Sequence, residues 1–230
     1  METMDGETMR GKNSSGGSAI EMCFVFLVLF PLFYGTGAIG VNLIRTLQTI
    51  QLARDLGHMY ARGLDFSQSA NQTVMYQLGS SLGLTSSSST SNAVVILSNL
   101  IYVDSGQCLA ANAWTNPSTP VGPTGIACTN YQKWVFTQRL EFGNTNLRSS
   151  NLGNPLSSIV NSTTGQITQT NYVTNAGAVA NFSAINPYSN TSGVISGLPS
   201  GQTLYASEVG AQAWAWMYFQ NQSTYSFDLF

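Results

Sequence analysis

From Met22 to Ile44 the chain runs for 23 residues without a formal charge. As a helix rising 1.5 Å per residue, the run is about 34 Å long, enough to cross a hydrocarbon core of about 30 Å. A single spanning segment must satisfy its own backbone hydrogen bonds in lipid, so helix is the one regular structure open to it. Pro31 and the glycines at 35, 37 and 40 are tolerated in membrane helices, and small residues let neighbouring helices approach closely. The run reads as one bilayer crossing or one signal segment.

Helical patterning continues beyond it. Leu43, Leu47, Ile50, Ala53, Leu56 and Tyr60 recur at spacings of three and four, with Gln48, Gln51, Arg54 and Asp55 between them. Arg45 follows the apolar run as an interfacial anchor. The pattern predicts one helix from about Ala19 to Arg62, stopped at Gly63. Its second half is amphipathic, so its apolar face needs a partner.

That partner is expected in the remainder. Ser67–Leu82 suits a second helix with Val74, Met75, Leu78 and Leu82 on one side, and Leu84–Asn92 reads as a flexible Ser/Thr-rich connection. "NAVVILSNLIYVDSG" from Asn92 is β-branched and ends in a turn signal, which predicts a buried strand. "YQKWVFTQRLEFGN" from Tyr131 alternates around Trp134 and Phe136 as a half-buried strand does. Residues 144–198 are rich in Asn, Ser, Thr and Gly, with strand-like runs at "GQITQTNYV" and "GAVANFSAI"; they read as an elaborated loop or small β insertion. "GQTLYASEVGAQAWAWMYF" and "STYSFDLF" give the last strands, although Ala211–Phe219 also suits a helix. The expected class is α+β: a long N-terminal transmembrane and amphipathic helix followed by an antiparallel sheet of four or five strands. The expected segments are a leader at 1–16, the long helix at 17–63, a helix and connection at 64–92, and an extracytoplasmic β-rich domain at 93–230.

Composition narrows the function. Charged residues make up 8% of the 230 and the net charge is −2, against a usual charged share of about 25%. No basic stripe is present to meet nucleic acid. An aromatic share of 11% can build a core, so the low charge is not disorder. Polarity comes from Ser, Thr, Asn and Gln, as suits a body outside the cytoplasm. Cys108 and Cys128, an isolated pair in that body, suit a disulfide in an oxidising compartment, the alternative being two free buried thiols.

Other patterns carry less. "GTGAIG" at Gly35–Gly40 matches the dinucleotide fingerprint, but that motif needs a strand before it, and here it lies inside the apolar run. His58 is the one histidine, which removes His-rich zinc sites and most catalytic triads and favours a solvated or packing role. Glu141 and Glu208 make a conceivable glycosidase pair, but any two of the five acids after Gly63 pair as well on paper. Asn-x-Ser/Thr triplets at Asn71, Asn161 and Asn181 are expected by chance in such a composition. No catalytic residue, metal site or cofactor is predicted.

One charge remains to be explained. Glu21 stands at the mouth of the apolar run, one turn inside the helix, where the macrodipole favours an acid. The small residues directly before it are not explained that way. Gly16, Gly17, Ser18, Ala19, Ile20 and Glu21 ahead of an apolar run resemble the type IV prepilin cleavage motif. "GGSAIEMCFVFLVLFPLFYG", with Pro31 in place, is similar to the TadE/TadG branch, the pseudopilins of tight-adherence pili. The following "LQTIQLARDLGHMYARG" is similar to that family's Ala/Arg-rich helix, and "LYASEVGAQA" and "YSFDLF" resemble its last strands more loosely. The likeness covers about residues 16–63.

The resemblance implies a structural, non-catalytic minor pseudopilin of a bacterial inner membrane, its C-terminal domain extracytoplasmic and its helix in a surface pilus or the membrane. Prepilin peptidase would cut between Gly16 and Gly17 or between Gly17 and Ser18, and the first puts Glu21 fifth in the mature chain. Glu21 would neutralise the new terminal ammonium, in its own chain or a neighbour's. The implied partners are the peptidase, other pilins and pseudopilins, pilus assembly proteins and membrane lipid. A different class of reading is a Sec-secreted binding domain. Arg10 and Lys12 would then be the n-region, Cys23–Phe33 the h-region, and cleavage would fall after Gly37, before Ala38; the acid at Glu21 counts against it. A third is a periplasmic hydrolase tethered by an uncleaved helix.

Overall fold

The computed structural model describes residues 15–113, 126–181, 202–213 and 223–230. Helix α1 is continuous over Ser15–Ala61 and contains Pro31. The chain divides into two compact units between Val41 and Asn42, so α1 contributes to both. Its end follows from the sequence. Gly63 takes a left-handed φ of 87°; its N–H reaches the Tyr60 carbonyl (3.0 Å) and the Leu64 N–H reaches that of Met59 (3.0 Å). This paired closure satisfies carbonyls that the last turn leaves open, at a position where a side chain is disfavoured.

Within the second unit follow α2 (Ser69–Leu78), β1 (Ala93–Tyr102), α3 (Ser105–Ala110), β2 (Trp134–Gly143), α4 (Gln169–Thr174), β3 (Thr203–Gln212) and β4 (Ser223–Leu229). The strands form one antiparallel sheet in the order β2-β1-β3-β4. β1 lies inside it, buried along nearly its whole length, which is why it lacks the alternation of a half-exposed strand. The predicted α+β class and strand set are present.

Each sheet face has its own core. Ala93, Val95 and Leu97 of β1, Leu140 and Phe142 of β2, and Val209 and Ala211 of β3 meet Leu52, Ala53, Leu56 and Tyr60 of α1, together with Phe66, Met75, Leu82 and Leu84. On the opposite face Leu100, Phe136, Leu204 and Ala206 pack with Cys108, Cys128, Leu152, Ile159, Ile167, Val173 and Ala178. The segment expected as a β insertion is therefore a cover for that face. Its strand-like runs are not strands. "GQITQTNYV" forms two isolated bridges, at Gln166 and Ile167, and then α4. Of "GAVANFSAI", Ala176–Ala178 is a 3-10 turn, Val179 bridges Val135, and residues from 182 lie outside the described ones.

Three local expectations are revised. On α1 the buried stripe is Thr49, Leu52, Ala53, Leu56 and Tyr60, while Leu43 and Leu47 are exposed at 60% and 52%. On α2 Met75 is buried but Val74 and Leu78 are exposed, and α2 ends at Leu78 before a separate 3-10 turn at Ser80–Leu82. The Leu84–Asn92 connection is pinned at both ends. Asn92 N–H reaches the Gly83 carbonyl (3.0 Å), Thr85 N–H reaches Ser91 Oγ (3.2 Å), and Ser91 donates to the Ala93 carbonyl (2.7 Å). The Ala211–Phe219 alternative resolves as strand through Gln212, and residues 214–222 lie outside the described ones.

At Gly57 α1 lies against Phe230, the residue that follows β4. A Cβ there would overlap the ring of Phe230, which also packs against His58 with centroids 4.6 Å apart. Gly57→Ala should therefore destabilise the chain although alanine favours helix by about 1 kcal/mol. Combined with Phe230→Ala, the same change should be neutral or stabilising relative to Phe230→Ala alone, as read by urea denaturation of the four-member cycle.

Candidate assembly surface

The sequence-predicted cleavage and assembly residues, Gly16, Gly17 and Glu21, lie on the first unit's part of α1. Gly16 lies within the helix, and Gly17 and Glu21 are exposed on it. From Ile20 to Tyr34 every residue is exposed, including Phe24, Leu27, Val28, Leu32 and Phe33 at 60% or more. One helix, Ile20–Ala61, is long and apolar enough to cross a membrane. From Ile20 to Tyr34 its apolar surface runs all round, as for a segment solvated by lipid or other helices. Gly35–Gly40 are helical throughout, so no strand precedes the GTGAIG motif. The Gly37–Ala38 bond of the secretory alternative also lies within α1.

Arg45 behaves as an anchor, but to protein: its Nη1 donates to the Gln212 carbonyl (2.7 Å). One turn on, buried Thr49 donates to the Arg45 carbonyl (2.8 Å) and shares a hydrogen bond with Thr224 (2.9 Å). The helix is thus tied to the ends of β3 and β4 just after its apolar run. Near its other end Tyr60 donates to Gln138 Oε1 (2.8 Å) and meets Tyr205 edge-on.

Cys108 and Cys128 form a disulfide, with Cα atoms 5.8 Å apart. Cys108 sits on α3, which Asp104 caps by accepting from the Gln107 N–H (2.8 Å). Both cysteines belong to the core away from α1. Cys23 is free and exposed. His58 is exposed and its ring packs on Phe230.

Glu141 and Glu208 share a sheet face, but β1 separates them, Ile96 being registered with both. That puts their Cα atoms about 10 Å apart at ordinary strand spacing. Glu208 is 1% exposed, and its oxygens are engaged. Ser150 Oγ donates to it in a short contact, as do the Asn151 N–H (2.9 Å) and the Tyr225 hydroxyl (2.5 Å). Arg139 Nη1 stands 3.8 Å away. Arg139 also donates to Ser98 (2.7 Å), Asn154 (2.9 Å) and Glu141 (3.0 Å). Arg148 lies over the Tyr225 ring at 4.3 Å.

Pattern reading missed this network as a unit. A partial signal was present: Glu208 stands on the same side of its strand as Leu204 and Ala206, and an acid on an apolar side buries well only with a partner of opposite charge. Its role is to fasten segment 148–154 onto the sheet. Comparisons with family models, curated proteins and solved structures return no match to the chain.

Burial, then the charge and hydrogen bond of Glu208, push the Tyr225 hydroxyl pKa well above its ordinary value of 10.0. Burial does the same for Tyr60, helped by Tyr205 and Asp65. A raised folded-state pKa gives stability that is full below about pH 10 and lost as pH climbs beyond it. Alkaline unfolding above pH 10 should therefore be steep, and Tyr225→Phe should flatten that slope while costing about 1.5–3 kcal/mol at neutral pH. Arg139→Met should cost about 3–5 kcal/mol by leaving Glu208 buried without its cation. Urea titrations across pH check both.

Proposed function

We propose that the chain is a TadE-like minor pseudopilin, a structural and assembly component of a tight-adherence, type IV-like pilus. The observation that carries this reading is the division of labour along α1. Its first half bares apolar side chains around its circumference, and its second half packs on a four-stranded antiparallel sheet. The small-residue sequence ending at Glu21 directly precedes the bare half.

Length separates an assembly helix from a plain anchor. Exposed apolar residues continue through Leu43, Ile44 and Leu47, so the apolar surface from Ile20 to Leu47 extends about 42 Å at 1.5 Å per residue. A hydrocarbon core accounts for about 30 Å of that. The surplus suits the helices of neighbouring subunits, packed beyond the membrane as well as within it. Prepilin peptidase cuts between Gly16 and Gly17, and Glu21 then pairs with the new ammonium of its own or an adjacent chain. In a low-dielectric surround that attraction exceeds a surface ion pair and sets the stagger between helices. The sheet domain faces outward, in a compartment where the Cys108–Cys128 bond persists.

Mass spectrometry of the chain recovered from its native membrane should find a mature N-terminus at Gly17. A start at Ala38 would mean a secreted domain, and an intact Met1 a simple anchor; either overturns the proposal. Glu21→Ala should leave processing intact yet lower recovery in the assembled fraction by roughly tenfold, the equivalent of about 1.4 kcal/mol per subunit contact.

A further inference from the structure

The two edges of the sheet are treated differently. On β2 the outer edge is closed where it meets the cover: Ile167 N–H reaches the Thr137 carbonyl and Arg139 N–H reaches that of Gly165, both at 2.8 Å. Gly165 has a φ of 66° and lies so close to the Arg139 carbonyl that a Cβ would collide with it. On β4 the edge is open among the described residues. Phe230 exchanges both backbone hydrogen bonds with Tyr205, so by strand alternation the N–H and C=O of Tyr225, Phe227 and Leu229 face away from β3. No described residue meets them. β4 carries no proline or lysine, the usual means of blunting an edge. Its one charge, Asp228, has no hydrogen-bond or ion-pair partner among the described residues.

We propose that the β4 edge docks one extended strand of a different protein chain, which carries a lysine or arginine opposite Asp228 and apolar residues beside Tyr225, Phe227 and Leu229. Backbone pairing supplies affinity, and the alternating side chains supply selectivity. A second copy of this chain is a poor occupant. Its β2 edge is closed at Thr137 and Arg139. Antiparallel β4–β4 pairing about a two-fold axis normal to the sheet would reverse the direction of Asn42–Ala61 in one copy. That step rests on the pseudopilin reading, in which all helices enter one membrane the same way. The subunit therefore accepts a neighbour's strand and offers none in return, so a run of sheet pairing ends at it.

The test uses the full chain in nanodiscs and three seven-residue peptides alternating valine and threonine. One carries a central lysine, one a glutamate there, and one the lysine with N-methyl groups on alternate amides. Without peptide, the amides of Tyr225, Phe227 and Leu229 should exchange with solvent at least a hundredfold faster than those of Thr224, Ser226 and Asp228. The lysine peptide should slow the first set at least tenfold and the N-methylated one should not. Asp228→Asn should reduce the preference for lysine over glutamate at least threefold. Protected amides in the peptide-free chain would overturn the proposal, as would equal protection by the N-methylated peptide. A Phe227→Cys variant that forms disulfide-linked homodimers in a Cys23→Ser background would make the occupant a second copy and overturn it too. The mature N-terminus is read separately, so a failed edge and a failed pseudopilin reading are distinguishable.

Discussion

Everything in the second unit is arranged around the seat of α1 on the sheet. Ala53 and Leu56 present a low-relief stripe to Val95, Leu97 and Val209, Gly57 makes room for the ring of Phe230, and small residues at the contact let the helix lie close. Hydrogen bonds hold the seat near both ends, Arg45 and Thr49 at one and Tyr60 at the other. With the apolar contact between them, these polar pins fix position more than they add affinity, since an intramolecular hydrogen bond contributes about 1 kcal/mol net.

Covering one face leaves the other. The segment 144–181 does that work with little regular structure. Its apolar side chains fill the half nearest the disulfide, and the half containing Arg139 and Glu208 is closed by hydrogen bonds. Gly210 belongs to the same solution, because a Cβ there would crowd Val94 and rest against the stem of Arg148, which lies over the Tyr225 ring.

The long helix and the strands were legible because their signals are local: an uncharged run of bilayer length, a glycine stop after Arg62, and β-branched or alternating segments. The orientation of α1 was harder. Leu43 and Leu47 share the spacing of the buried stripe, yet they are exposed, because periodicity defines a face but not where along the helix its partner begins. The cover was read as strand from runs such as "GQITQTNYV", where tertiary contacts decided against β-propensity. Gly16, Gly17 and Glu21 were named from a short pattern and the family resemblance it carries, and the structure places them on the first unit's part of α1. Glu208 left a local mark in the sequence, but its pairing with Arg139 was hidden because the two lie far apart in the chain and only strand register brings them together.

The strand order has a consequence in time. β1 pairs with β3, whose Val209 follows its partner Val95 by roughly a hundred residues, and such distant pairings close late. Until β3 has been made, β1 and β2 have no third strand and α1 has half a platform. The N-terminal helix is complete long before that. In a chain made from its N-terminus the long apolar helix is therefore complete before the sheet it packs against, and the second unit condenses onto a helix that already exists.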